Sequence, residues 1–190
     1  MNRTTRDKLV ARTTPKNATW ETPPAIVAQL REDFGPFDLD LTGDIARATE
    51  KVWFGPYSPV EKYDALTADW MAYGRTGFSN PPYGAFVPQL LWQARRMRAR
   101  GFTSTLLLPL RVTRAFRVEI LGQASDLLFC DKRIAFFEDG HPRWNAKAFA
   151  EGRLVADTAL FDSIIVRFRA GCTDPVRVGV WRVPAHVERL

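Results

Sequence analysis

A chain of 190 residues has room for one domain with a proper core and too little for two large ones. Its composition, 46% hydrophobic and 25% charged, is ordinary for a globular protein, and no apolar run approaches the roughly 20 residues needed to span a bilayer. The net charge of +6, with Arg far outnumbering Lys, suits a polyanionic partner, because neutralising phosphates releases counterions.

Residues 1–19 read as a flexible basic arm. They lack the apolar stretch of a secretory signal, so a cytoplasmic protein is expected. Thr22-Pro23 reads as a helix start, a hydroxyl cap with proline at the first helical position. Ile26, Val27, Leu30 and Phe34 follow at helical spacing, and Gly35-Pro36 ends the run. Phe37-Asp38-Leu39-Asp40-Leu41 alternates as a strand does, with Thr42-Gly43-Asp44 as its turn. Residues 76–79 predict a short strand running into Asn80-Pro81-Pro82-Tyr83-Gly84, where two prolines forbid a helix. A helix is predicted over 86–100, with Val87, Leu90, Leu91, Ala94 and Met97 on one face. The continuous apolar run at 103–109 predicts a buried strand. A helix over 113–123 follows, then strands at 126–130, 133–137, 162–169 and 176–183, with a long insertion over 138–160.

Strand–helix alternation argues an α/β domain over 20–190 with a mostly parallel sheet. The closing strands, 133–137 and 162–169, suggest an antiparallel edge hairpin. Open sheets of this kind bind ligands at the carboxyl ends of their strands, and Asp40 and Asn80 both fall there. Cys130 and Cys172 stand far apart with no partnering histidine cluster, so neither a disulfide framework nor a metal site is expected.

The segment Asn80-Pro81-Pro82-Tyr83 has the parts that methylation of an exocyclic amine requires. The carboxamide oxygen of Asn80 can accept one N–H and the Pro81 carbonyl the other. Two acceptors draw a flat amine towards tetrahedral geometry and aim its lone pair. Pro81 and Pro82 stiffen the loop, so placement costs little entropy. Tyr83 offers an aromatic face for an extruded base. No covalent nucleophile is needed.

In order along the chain, Trp20-Glu21-Thr22-Pro23, Phe34-Gly35-Pro36-Phe37-Asp38-Leu39-Asp40, Asp64-Ala65-Leu66 with Asp69-Trp70, Phe78-Ser79-Asn80-Pro81-Pro82-Tyr83-Gly84, Leu106-Leu107-Leu108-Pro109 and Arg133-Ile134-Ala135-Phe136 form a set. This set resembles the phage-type Dam DNA N6-adenine methyltransferases. The resemblance implies a Rossmann-like methyltransferase fold, S-adenosylmethionine as cofactor and double-stranded DNA as substrate. It implies Trp20, Thr22, Pro23, Asp40, Thr42, Asp64 and Leu66 as cofactor-binding residues, with Asp40 facing the cofactor's amine and Asp64 its adenine. Asp38 ranks below Asp40. The turn after Asp40 reads Leu41-Thr42-Gly43, and no G-x-G loop lies near it.

For DNA, Phe136 or Phe137 is a candidate second aromatic against the base. Arg133, Arg143, Trp144 and Lys147, together with Lys132, His141, Phe149 and Arg153, make the 138–160 insertion and its flanks the expected recognition surface. Arg95, Arg96, Arg98 and Arg100 form a second basic face. Two other readings stay open on residues alone: an N-P-P-Y amino-methyltransferase acting on RNA or protein glutamine, and a catalytically silent DNA-binding module.

Overall fold

The computed structural model describes residues 20–43, 48–55, 64–114, 116–138, 141–142, 145–153, 156, 159 and 161–184. Helix α1 (Pro24–Phe34) opens the described chain. Strand β1 (Leu39–Asp40), strand β2 (Thr76–Ser79), helix α2 (Phe86–Ala99) and strand β3 (Thr103–Pro109) follow. A single π-helical turn (Phe116–Ile120) leads into β4 (Asp126–Cys130). Two short strands, β5 (Phe137–Glu138) and β6 (His141–Pro142), and a short helix α3 (Ala146–Ala150) precede β7 (Ser163–Phe168) and β8 (Arg177–Trp181).

Among the described residues the main sheet has the order β1-β2-β3-β7-β4-β8. β1, β2 and β3 are mutually parallel, and β4 and β8 are parallel to each other. β7 runs against both of its neighbours, β3 and β4. The fold is therefore a mixed α/β sheet in which five strands point one way. The expected edge hairpin is overturned: β7 sits in the interior of the sheet, and residues 133–136 form no strand. The reason lies in the sequence of β7, where Ile164, Ile165, Val166 and Phe168 are all buried. A strand apolar on both faces must be covered on both faces, and only an interior position does that. The actual hairpin, β5 with β6, is a separate two-stranded piece.

Period-two alternation divides the core cleanly. Leu106, Leu108, Leu127, Ile164 and Val166 face one way and meet Leu90, Leu91, Ala94 and Met97 of α2. Leu107, Leu128 and Ile165 face the other way and meet Ile26 and Leu30 of α1. The sheet is thus covered by a helix on each side. The Trp181 indole N–H donates to Asp33 at 2.7 Å, tying β8 to α1.

Two helix expectations are also corrected. Pro23 stands at the N-cap of α1 with no side-chain cap bond, and Pro24 takes the first turn, so Thr22 does not cap the helix. The α-helix expected over 113–123 is replaced at Phe116–Ile120 by the π-helical turn. The wide turn places both Phe116 and Ile120 in the core, while Leu121 N–H reaches Phe116 carbonyl. β-Branched Val112, Thr113, Val118 and Ile120 weaken the α-helical alternative. No helix of the described residues is long and apolar enough to cross a membrane.

Candidate active site

Because five strands are co-directional, Asp40, Ser79, Pro109, Cys130 and Trp181 end them along one edge of the sheet. Asn80 is the first residue beyond β2 on that edge. Pro81 and Pro82 cannot donate to a ladder, so β2 stops there and the chain turns outwards. Gly84 completes the turn with φ +117, a backbone conformation that other residues avoid, and α2 starts at Phe86.

The carboxamide of Asn80 is held at both ends. Its Nδ2 donates to the Trp20 carbonyl at 3.1 Å, and its Oδ1 accepts the Tyr83 hydroxyl at 3.0 Å. These bonds orient the oxygen, whose second lone pair stays available. Burial pushes the Tyr83 phenol above its ordinary value, with nearby Arg111 acting in the opposite sense. Tyr83 therefore remains a donor at neutral pH.

An aromatic cluster backs this loop. The Trp20 ring stacks on Phe136 at 5.6 Å and on Phe161 at 5.5 Å, and Tyr83 meets Phe161 edge to face at 5.4 Å. Trp20 is drawn towards Phe136 by the two hydrogen bonds between the backbones of Glu21 and Phe137. Phe136 itself is only 2% exposed and belongs to the core beneath Trp20. It presents no surface to a base in this arrangement. Phe161, which no local pattern singles out, touches Tyr83 instead.

Two cavities flank the loop. One, about 290 Å³, has Pro82 and Phe86 on one wall and Thr42, Gly43, Phe54, Gly55, Asp64 and Ala65 on the others. Its floor depends on close backbone approach: a Cβ on Gly55 would lie 2.0 Å from the Gly43 carbonyl oxygen. The other, about 310 Å³, has Tyr83 and Gly84 on its wall, together with Pro109, Arg111, Thr113 and Arg114.

The residues expected to hold a cofactor divide into two groups. Thr42 and Asp64 line the first cavity. The Thr42 hydroxyl shares a 2.6 Å hydrogen bond with buried Ser79, which locks the end of β1 to the end of β2. Asp64 is exposed, and its Oδ1 accepts Leu66 N–H at 2.9 Å, while half-buried Leu66 packs against the core. Asp40 behaves differently. Its carboxylate is buried and accepts from Thr42 N–H, Thr49 N–H and the Thr49 hydroxyl. It organises the loop after β1. Pro23 and Thr22 lie beside Trp20 at the start of α1, where the Pro23 carbonyl accepts from Ile26 and Val27. Asp38 points away from the cavities and fastens the start of β2. It accepts from Arg75 N–H at 2.7 Å, Thr76 N–H at 3.0 Å and the Thr76 hydroxyl at 3.1 Å. Asp69-Trp70 is a brace: Asp69 takes both guanidinium nitrogens of Arg100, and the buried Trp70 indole donates to Ala65 carbonyl.

Of the expected DNA residues, Arg143 and Trp144 lie outside the described residues. Arg133 is exposed and pairs with Asp162 at 3.1 Å, and Lys147 is exposed on α3. Arg95, Arg98 and Arg100 bind Glu119, the Gln123 and Cys172 carbonyls, and Asp69 respectively. Arg95 and Arg98 occupy the half of α2 farther from Tyr83 and Arg100 caps that end, so they are not part of this edge. Cys130 is no nucleophile, since burial pushes its thiol up to about 12. Among the described residues no cluster of His, Cys, Asp and Glu could hold a metal.

A family model, described as DNA N-6-adenine-methyltransferase (Dam), matches residues 11–161, which include Asn80, the aromatic cluster, the first cavity and all of the second cavity's lining except Ile164. The chain belongs to the Dam family. No curated protein matches it significantly. Membership in a family of DNA adenine methyltransferases weighs against RNA or protein glutamine as the substrate.

Proposed function

We propose that this Dam-family chain transfers a methyl group from S-adenosylmethionine to N6 of an adenine extruded from double-stranded DNA. The observation that carries the reading is the Asn80 carboxamide, oriented by Trp20 and Tyr83 and placed between two cavities. We read the whole of 20–190 as one Rossmann-like methyltransferase domain, with its site at the carboxyl edge of the sheet.

The first cavity fits the cofactor's chemistry. It offers the Asp64 carboxylate and the Thr42 hydroxyl for polar groups and Phe54, Pro82 and Phe86 for a flat ring. The close Gly43–Gly55 approach leaves no side chain in the space. Bound S-adenosylmethionine supplies an electrophilic methyl on a cationic sulfur. Asp40 acts there through the loop it organises, because its oxygens are already engaged by Thr42 and Thr49. Asn80 Oδ1 accepts one N–H of the adenine amine, and the Pro81 carbonyl accepts the other. Tyr83 keeps Oδ1 aimed and gives the base a wall. The rigid prolines mean that these acceptors need no reorganisation when charge develops.

The test is product analysis. Purified protein, S-adenosylmethionine and unmethylated duplex DNA are incubated, and the DNA is digested to nucleosides and identified by mass. N6-methyladenine is expected. Asn80→Ala should lower its formation by about 10²–10³-fold, the loss typical of one oriented polar group, with little change in cofactor affinity. Methylcytosine as the product, or full activity in Asn80→Ala, would overturn the reading. A chain that binds DNA but neither binds the cofactor nor transfers a methyl would be the silent module.

A further inference from the structure

We propose that the segment over residues 110–114, which follows β3, is a DNA-backbone clamp in which Arg111 and Arg114 hold phosphates beside the extruded nucleotide. The proposal rests on the adenine-methyltransferase reading above, and it moves phosphate contact from the 138–160 insertion to a segment that no motif marks.

Four observations support it. First, position: β3 lies next to β2, and Pro109 ends it on the same sheet edge as Asn80. Second, the cavity of about 310 Å³ joins this segment to the catalytic loop, because Tyr83 and Gly84 form one wall and Arg111, Thr113 and Arg114 another. The interior is apolar, with Val87, Leu91, Leu108 and Ile164 among its lining, while Arg111, Thr113 and Arg114 are exposed. An apolar hollow with cations at its mouth complements a nucleotide, whose base is flat and whose phosphate is anionic. Third, Arg111 is near enough for its charge to oppose the upward shift of the Tyr83 phenol.

Fourth, the segment is anchored at both ends. Leu110 N–H donates to the Asp162 carbonyl at 2.7 Å. The Thr113 hydroxyl accepts Phe116 N–H at 3.2 Å, and Phe116 is buried. A clamp built on fixed ends holds its arginines in place before DNA arrives, so fewer degrees of freedom are lost on binding. Asp162 also takes Arg133, which puts that arginine at the same rim. The 67% exposure of Val112 between the two arginines is consistent with a surface that meets a partner.

The experiment measures affinity for a fluorescent duplex by anisotropy over a salt series. Wild type, Arg111→Gln, Arg114→Gln and the double variant are compared, with Arg111→Lys/Arg114→Lys to restore charge. Arg96→Gln, at the far half of α2, is the control. The log–log slope should flatten by about one per lost phosphate contact, and so by about two in the double glutamine variant. The double lysine variant should regain the slope, and Arg96→Gln should keep it. S-adenosylmethionine affinity should not move. A wild-type slope in the double glutamine variant overturns the clamp, as does a slope that the double lysine variant fails to restore. Methylation by the wild type is assayed in parallel: a normal N6-methyladenine yield with an unaltered slope sinks the clamp alone, whereas absence of N6-methyladenine sinks the adenine reading.

Discussion

The two edges of the sheet are both rich in arginine, and they use it in opposite ways. At the amino edge, Asp126 is wholly buried at the start of β4 and faces Arg167 at 3.4 Å, Arg169 at 3.0 Å and Arg177 at 2.7 Å. Arg167 also lies over the Phe34 ring, fixing β7 to α1. There the guanidiniums close the structure. At the carboxyl edge, Arg111 and Arg114 stand at a cavity mouth beside Tyr83. On the clamp proposed above, similar side chains serve stability at one edge and a substrate at the other. At the amino edge a buried carboxylate gathers them, and at the carboxyl edge they line a cavity shared with the loop that follows β2.

Asp126→Asn breaks the comparison most sharply. It leaves three arginines crowded around a neutral group. Breaking a buried pair of this kind costs about 3 kcal/mol, at the lower end of the usual range because Arg169 and Arg177 reach solvent. The midpoint of thermal unfolding should fall by about 6–12 °C. Methyl transfer at a temperature where the variant is folded should be close to wild type. An unshifted midpoint would show that the amino edge does not hold the sheet together.

Tyr83→Phe addresses the other edge with a smaller effect. The ring and its contact with Phe161 survive, and only the bond to Asn80 Oδ1 is lost. A net hydrogen bond of this kind corresponds to about a 2- to 10-fold fall in kcat. KM for DNA should stay put, and the thermal midpoint should fall by about 1–6 °C. A change in KM with kcat intact would make Tyr83 a base-binding group and not an aligner of Asn80.

The smallest effect is expected from Asp38→Asn. Backbone N–H of Arg75 is the chief cause that holds this carboxyl below its ordinary value of 3.8, with further bonds from Thr76. A depressed carboxyl adds stability that is complete above the ordinary value and is lost as pH falls through the folded one. The wild-type midpoint should therefore drop more steeply than that of Asp38→Asn below about pH 4. Parallel curves would remove Asp38 from the account of how β1 joins β2.

Much of this was legible along the chain. The helical spacing of Leu90, Leu91, Ala94 and Met97 gave α2 its buried face, and the apolar run at 103–109 gave β3. Asn80 and Tyr83 stand where local rules put them, because two prolines end a strand in any context. Phe136 looked like a base contact because an aromatic in a short apolar run carries no sign of which way it faces; packing under Trp20 decided that. Asp40 looked like a ligand, and three donors from its own loop were not readable without the loop's path.

The sequence by itself determined the Asn80-Pro81-Pro82-Tyr83 turn at the end of β2, the strands beside it and the family, since all of these are carried by contiguous residues and their spacing. Tertiary structure alone decided the rest. It put β7 in the middle of the sheet, because a strand apolar on both faces needs cover from α1 and α2 together. It joined Trp20 and Phe161 to Tyr83, and Arg111 to the same cavity, across separations along the chain that no local period encodes.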